Sequence, residues 1–124
     1  MAEEVARNYL ATAFSPAMMA HIPDNLYLEA TVKEVRREDF LASVRAANSF
    51  GVLKSIVGHE NTAELLSRKL GIPVEFNRET VTLGEYDVVF IAVPQIRFDG
   101  AREFTDEEVE KAPFRYFHVS FETR

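Results

Sequence analysis

Three histidines, a scatter of arginines and no cysteine are what this sequence offers for moving protons or holding anions. His59 stands apart because of its address. Gly58 precedes it, and the run Glu60-Asn61-Thr62-Ala63 after it opens a helical stripe. The free N–H groups of a first helical turn and the positive end of the helix dipole favour a phosphate there. An imidazole titrates near neutrality, so at that place it can hand a proton to a departing oxygen. The plainer reading makes His59 a cap residue and Gly58 a source of backbone freedom. His21, near the exit of a short helix, and His118, in a strand beside Tyr116, read as structural or surface residues. Ser15 before Pro16 has the form of an N-cap ahead of a first-turn proline. A helix start directly after a strand is also where α/β proteins bind anionic groups. Arg78 and Arg97 flank candidate strands, and they matter only if they converge with His59 on one phosphate.

Several chemistries are absent. The sequence has no P-loop, no G-x-G-x-x-G, no H-E-x-x-H and no G-x-S-x-G. The H-E step at His59-Glu60 lacks a second histidine four residues on, and no His/Asp/Glu cluster has metal-ligand spacing. A reaction without metal or cofactor is expected. Without cysteine there is no disulfide, thiolate site or thiol nucleophile, and a reducing interior suits the chain. A net charge of −6 argues against tracking a long nucleic acid, which demands a basic stripe. It leaves room for a small anion held by local arginines and helix N-termini. MAEEVARNYL carries acids where a secretory signal is basic, and no apolar run is long enough to cross a bilayer. A cytoplasmic protein with no membrane partner is expected, in the host cytoplasm if the chain is viral. With 124 residues, 47% of them hydrophobic, residues 1–124 read as one domain able to bury a core.

The elements around these residues follow from periodicity. Residues 8–13 form a short candidate strand, and a helix starting at Ser15-Pro16 closes at the turn Pro23-Asp24-Asn25. Leu26, Leu28, Ala30 and Val32 alternate with polar partners, which predicts a half-buried strand over 26–33. Phe40, Leu41, Val44 and Ala47 recur at helical spacing over 38–47. Gly51 breaks the chain before 52–57, a segment whose state the pattern leaves open. Ala63, Leu66 and Leu70 stripe the helix that His59 opens, and Gly71 with Pro73 ends it. Val81 and Leu83 alternate with Thr80 and Thr82 as another strand, and the continuous apolar run 88–93 reads as a central one. Thr105 and Glu108 form a capping box. Phe117, Val119 and Phe121 alternate in a last strand. The sum is an α/β fold: a small mixed sheet of about five strands flanked by helices.

These segments together resemble a known family, the viral anti-CRISPR ring nucleases of type III immunity, which also occur as cellular ring nucleases. The resemblance is carried by Tyr9-Leu10-Ala11-Thr12-Ala13-Phe14-Ser15, by Gly58-His59-Glu60-Asn61-Thr62-Ala63-Glu64-Leu65-Leu66, and by Asn77-Arg78. Arg97 and the Thr105-Asp106-Glu107-Glu108 helix start complete it. It implies a homodimer that encloses one cyclic tetra-adenylate across its two-fold axis and cuts it, without metal, to linear di-adenylate, so switching off type III CRISPR signalling. It further implies a ribose 2′-hydroxyl of the ligand as nucleophile and His59 as general acid. Arg97 and Arg78 would hold phosphates, while Ser15, Phe14, Thr12, Gly58 and Asn61 would line the ligand.

The sequence departs from the family pattern twice. Thr12 stands where the family has asparagine. Gly100 stands where the family carries a glutamate three residues after the arginine; Asp99 is the expected substitute, with Glu103 a more distant one. Two other functions compete with cleavage. One is a sponge that binds the ring uncut; the other is an interaction module using the acidic run from Glu103 to Glu110.

Overall fold

The computed structural model describes residues 7–95 and 105–124. Strands β1 (Asn8–Ala11), β2 (Leu28–Val35), β3 (Leu53–Ser55), β4 (Val88–Pro94) and β5 (Phe114–Thr123) make one sheet in the order β2-β5-β4-β1-β3. β1 pairs in parallel with both β3 and β4, whereas β5 runs antiparallel to β4 and β2. The helices are α1 (Arg37–Ser49), α2 (Glu60–Leu70) and α3 (Asp106–Lys111), and one 3-10 turn covers Pro16–Met18. This is the mixed α/β architecture expected from the pattern.

α1 buries Phe40, Val44 and Ala47 and carries Glu38 and Asp39 in its first turn, where acids suit the dipole. Gly51 follows it at φ 71°, a left-handed conformation that glycine adopts without a Cβ penalty. α2 buries Ala63, Leu65, Leu66 and Leu70 and ends at Gly71, also left-handed at φ 69°. Both helices lie on one sheet face, where Leu10, Phe40, Val44, Val57, Leu66, Leu70, Phe90 and Tyr116 form the main core. Burying each large side chain there contributes about 1.5–3 kcal/mol. α3 has the capping box read from the sequence, with Glu108 N donating to Thr105 Oγ1 and Thr105 N to Glu108 Oε1, both at 3.1 Å. Its other end rests on α2. Lys69 Nζ donates to the carbonyls of Val109 (3.0 Å), Glu110 (2.8 Å) and Ala112 (2.8 Å), a cation placed on the negative end of the helix.

The opposite sheet face is covered in part. Tyr9, Ala11, Val89, Ile91 and Val119 pack under Val81 and Leu83, with Phe14 and Met18 against them. Residues 80–83 are not the expected strand. They contribute a single bridge, Met19 to Leu83, with Leu83 N donating to Met18 O at 2.7 Å and Ala20 N to Leu83 O at 2.8 Å. Alternation records which side chains are buried, and a chain laid across a sheet alternates as a strand does. The same bridge limits the helix expected after Ser15 to one 3-10 turn. The fifth strand is β3, taken from the segment whose state the pattern left open. β2 lies at the sheet edge beyond the reach of this cover, so Val32 stays 53% exposed despite its place in an alternating pattern. Among the described residues no helix is long and apolar enough to cross a membrane.

His118 sits on the helix face of β5, in register with Phe90 of β4 and Lys33 of β2. Phe90 packs edge-on to its ring at 5.0 Å and Phe40 lies at 6.2 Å. Its Nε2 and the hydroxyl of neighbouring Tyr116 are buried without a partner. Burial pushes the imidazole below its ordinary value of 6.5, opposed in part by the charge of Asp39. Neutral His118 therefore contributes stability that is present above the ordinary value and is lost as pH falls through the depressed one. The unfolding midpoint is expected to drop as pH falls below the ordinary histidine value of 6.5, and His118→Phe is expected to flatten that drop. Thermal melts of both proteins above and below that value check it; equal slopes would refute it.

Candidate functional site

The parallel strands β1, β3 and β4 bring three chain segments out at one end of the sheet. From β1 comes Thr12-Ala13-Phe14-Ser15. β3 leads to Gly58-His59, and β4 ends at Pro94. The β3 segment stays locked to β1 past its last paired residue, because Ile56 N donates to Leu10 O at 2.9 Å. Val57, fully buried, then bridges in parallel to Phe76. Gly58 and His59 follow, and α2 begins.

His59 is the N-cap of α2, with extended backbone (φ −131°, ψ 124°) and its carbonyl accepting from Ala63 N at 2.9 Å. Its side chain makes no cap hydrogen bond and is exposed. The His59 side chain therefore does not answer the N–H groups that open α2, and the imidazole stands exposed at the positive end of the helix. Gly58 is not demanded by the fold. Its backbone is outside the left-handed region, and a Cβ there would meet Arg78 Cγ at 3.8 Å, an ordinary contact. That contact also places Arg78 directly beside the His59 turn. Arg78 is exposed and makes no ion pair or hydrogen bond among the described residues. Asn61 is half-buried in the first turn of α2.

Thr12 and Phe14 are half-buried on the partly covered sheet face, and Phe14 packs against Phe121 with ring centroids 5.9 Å apart. With Ala13 they line an open apolar trough of about 400 Å³ completed by Val32, Ile91, Val93, Phe117 and Val119. Ser15 is exposed, and its N–H points to Met18 Sδ at 3.4 Å. His21 lies elsewhere, between residues that line a cavity with Arg7 and Asp87 at the amino ends of β1 and β4. Arg97 and Asp99, with Gly100 and Glu103, fall outside the described residues. Among the described residues no three His, Asp or Glu side chains form a metal-holding group.

Asn77 was marked in the sequence only through the Asn77-Arg78 match, and its contacts went unread. The side chain of Asn77 donates to Ser55 O at 2.8 Å and to Glu79 Oε2 at 3.1 Å, and its backbone N donates to Val57 O at 2.9 Å. No local pattern announces contacts across 22 residues.

The sequence has relatives at this level of detail. The uncharacterized protein YddF of Bacillus subtilis (strain 168) is 31% identical over 67 residues, 54% of this chain and 62% of YddF, so the chain spans about three fifths of that relative. The uncharacterized protein ORF116 of Acidianus filamentous virus 1 is 29% identical over 104 residues, covering 84% of this chain and 83% of its own length. In structure, the fold resembles B116 of Sulfolobus turreted icosahedral virus with a TM-score of 0.77 at 23% identity, over 92% of this chain and 98% of B116. The family match runs over residues 9–116 and so takes in the β1 exit, the His59 turn and Asn77-Arg78. The chain belongs to the STIV B116-like family, whose members include viral proteins.

Proposed function

We propose that this protein is a metal-independent ring nuclease that binds cyclic tetra-adenylate between two copies of the chain and cuts it to linear di-adenylate. The observation that carries the reading is an exposed histidine at a helix start whose side chain makes no cap bond, with an arginine alongside that is unpaired among the described residues. The start of α2 and Arg78 offer a seat for one phosphate. A ribose 2′-hydroxyl of the ligand attacks the scissile phosphorus in line, the bond to the 5′-oxygen breaks, and a 2′,3′-cyclic phosphate is left. The 2′-hydroxyl proton passes to solvent, and His59 delivers a proton to the departing 5′-oxygen. Arg78, joined by Arg97, offsets the charge gathering on the transferring group. Asp99 is the carboxylate proposed to replace the one the family carries at the position of Gly100. Thr12, Phe14, Ser15, Gly58 and Asn61 complete the ligand surface.

Two features of the fold support the dimeric part. A four-residue ring is large for one such turn, and a two-fold pair uses each turn twice. The apolar trough of Val32, Val93 and Phe117 adjoins Thr12 and Phe14, so a second copy seated there would place both strand exits near the axis. The departure at Gly100 favours one further reading, a sponge that holds the ring uncut.

Single-turnover incubation with labelled cyclic tetra-adenylate separates these. The parent is expected to yield linear product, and His59→Ala to slow cleavage by about 100-fold or more while binding persists. Because the imidazole is exposed and makes no hydrogen bond among the described residues, the same variant should unfold within about 0.5 kcal/mol of the parent. Binding without product in the parent would favour the sponge, and no binding would remove both. Gly58→Ala should melt like the parent yet bind the ring about tenfold or more weakly, since only a ligand needs that space; parental affinity would dismiss a close backbone approach. Val32→Glu should convert a dimer into a folded monomer in sedimentation, and a parent that is already monomeric at about 50 μM would overturn the proposed pairing.

A further inference from the structure

We infer that Asn77, braced by Glu79 and Lys54, is the positioning residue that sets His59 against Arg78. The inference rests on the ring-nuclease reading and assigns the geometry of that site to a residue that touches no ligand.

The two side chains that would share a phosphate sit on separate stretches of chain. His59 follows β3 by way of Val57 and Gly58; Arg78 follows the stretch Glu75-Phe76-Asn77. Main-chain pairing between the stretches is confined to the Val57–Phe76 bridge and the bond from Asn77 N to Val57 O at 2.9 Å. Side chains supply the rest. Ser55 Oγ donates to Glu75 O at 2.6 Å, and Asn77 Nδ2 donates to both Ser55 O (2.8 Å) and Glu79 Oε2 (3.1 Å). An amide nitrogen has two hydrogens, and here each has its own acceptor. Flipping the amide would turn its oxygen toward two acceptors, so the orientation is determined.

Glu79 is itself held. Lys54 Nζ lies 3.0 Å from its Oε1 and 2.8 Å from its Oε2. Lys54 and Glu79 are about half exposed, and such a pair adds little stability. Its effect is directional: it aims the carboxylate at the Asn77 amide. The brace therefore closes a loop, Lys54 to Glu79 to Asn77 to Ser55, back to the residue beside Lys54. Immediately beyond it the two stretches deliver Gly58-His59 on one side and Arg78 on the other, close enough that a Cβ at Gly58 would touch Arg78. In-line phosphoryl transfer tolerates little error, and a displacement of about 1 Å costs on the order of 100-fold in rate.

Asn77→Asp keeps the shape and removes both donors, while Glu79→Gln keeps one side-chain oxygen to accept from Asn77 and exchanges the other for an N–H that cannot accept from Lys54. At saturating cyclic tetra-adenylate, Asn77→Asp and Asn77→Ala are expected to lower the single-turnover rate by about tenfold to a hundredfold with ring affinity changed less than about threefold. Glu79→Gln is expected to stay within about threefold of the parent. Amide hydrogen exchange should speed up at residues 57–61 in Asn77→Asp and stay parental in the second half of α2. A parent that cleaves alongside an Asn77→Asp that cleaves equally well would overturn the inference, as would a loss of affinity matching the loss of rate. If the parent leaves the ring intact, the ring-nuclease reading fails, and unchanged exchange at 57–61 would then remove the brace as well.

Discussion

Everything in this fold hangs on a four-residue strand. β1 has parallel partners on both sides, β3 through Asn8, Tyr9 and Leu10 and β4 through Asn8 to Ala11. Parallel strands need cover on both faces, and Tyr9, Leu10 and Ala11 are all buried. α1 and α2 cover Leu10. Among the described residues no α-helix covers the other face, and the chain leaving β1 folds back over its own sheet and is pinned there by Leu83. That demand turns Thr12 to Met18 into part of the cover, and it places the exit of β1 beside the exit of β3.

Cover runs out toward the far edge. Val32, Phe117 and Val93 lie where the 14–18 and 81–83 segments do not reach, and the result is an apolar trough continuous with Thr12 and Phe14. An unfinished core and a candidate ligand surface thus share a border. The helix face shows the opposite condition: it is so well covered that Tyr116 and His118 each keep a buried polar atom with no partner. Burial raises the Tyr116 phenol above its ordinary range, countered in part by Arg37. Both groups stay neutral in the aromatic layer with Phe40 and Phe90, and packing outweighs their unmade hydrogen bonds.

The acidic balance of the chain sits easily with an anionic ligand, because the charges are committed locally. Lys54 answers Glu79, Arg115 answers Glu34, and Arg124 answers Glu29 and Glu122. Lys69 is spent on the carbonyls of α3. Arg78, by contrast, lies exposed next to a helix start and is not paired within the described residues. A field of −6 spread over the surface weighs less on a bound phosphate than a cation and a row of N–H groups in contact with it.

The sequence by itself determined the pieces whose signals are local. The stripes of α1 and α2, the glycines that end them, the capping box of α3 and the buried run of β4 each depend on neighbours a few residues apart, and each was readable. His59 could be placed at a helix start for the same reason. Tertiary structure decided what required distant partners. Alternation marked Val81 and Leu83 as buried without saying whether their backbone met a neighbour, and it gave β3 no mark because three residues are too few to show a period. It also set Val32 on a face whose cover ends before reaching it. Only the fold could reveal that the His59 side chain caps nothing, that Gly58 has room to spare, and that Asn77 holds a carbonyl 22 residues away. Periodicity and caps are properties of adjacent turns, whereas exposure, register and long-range hydrogen bonds exist only after the strands have met.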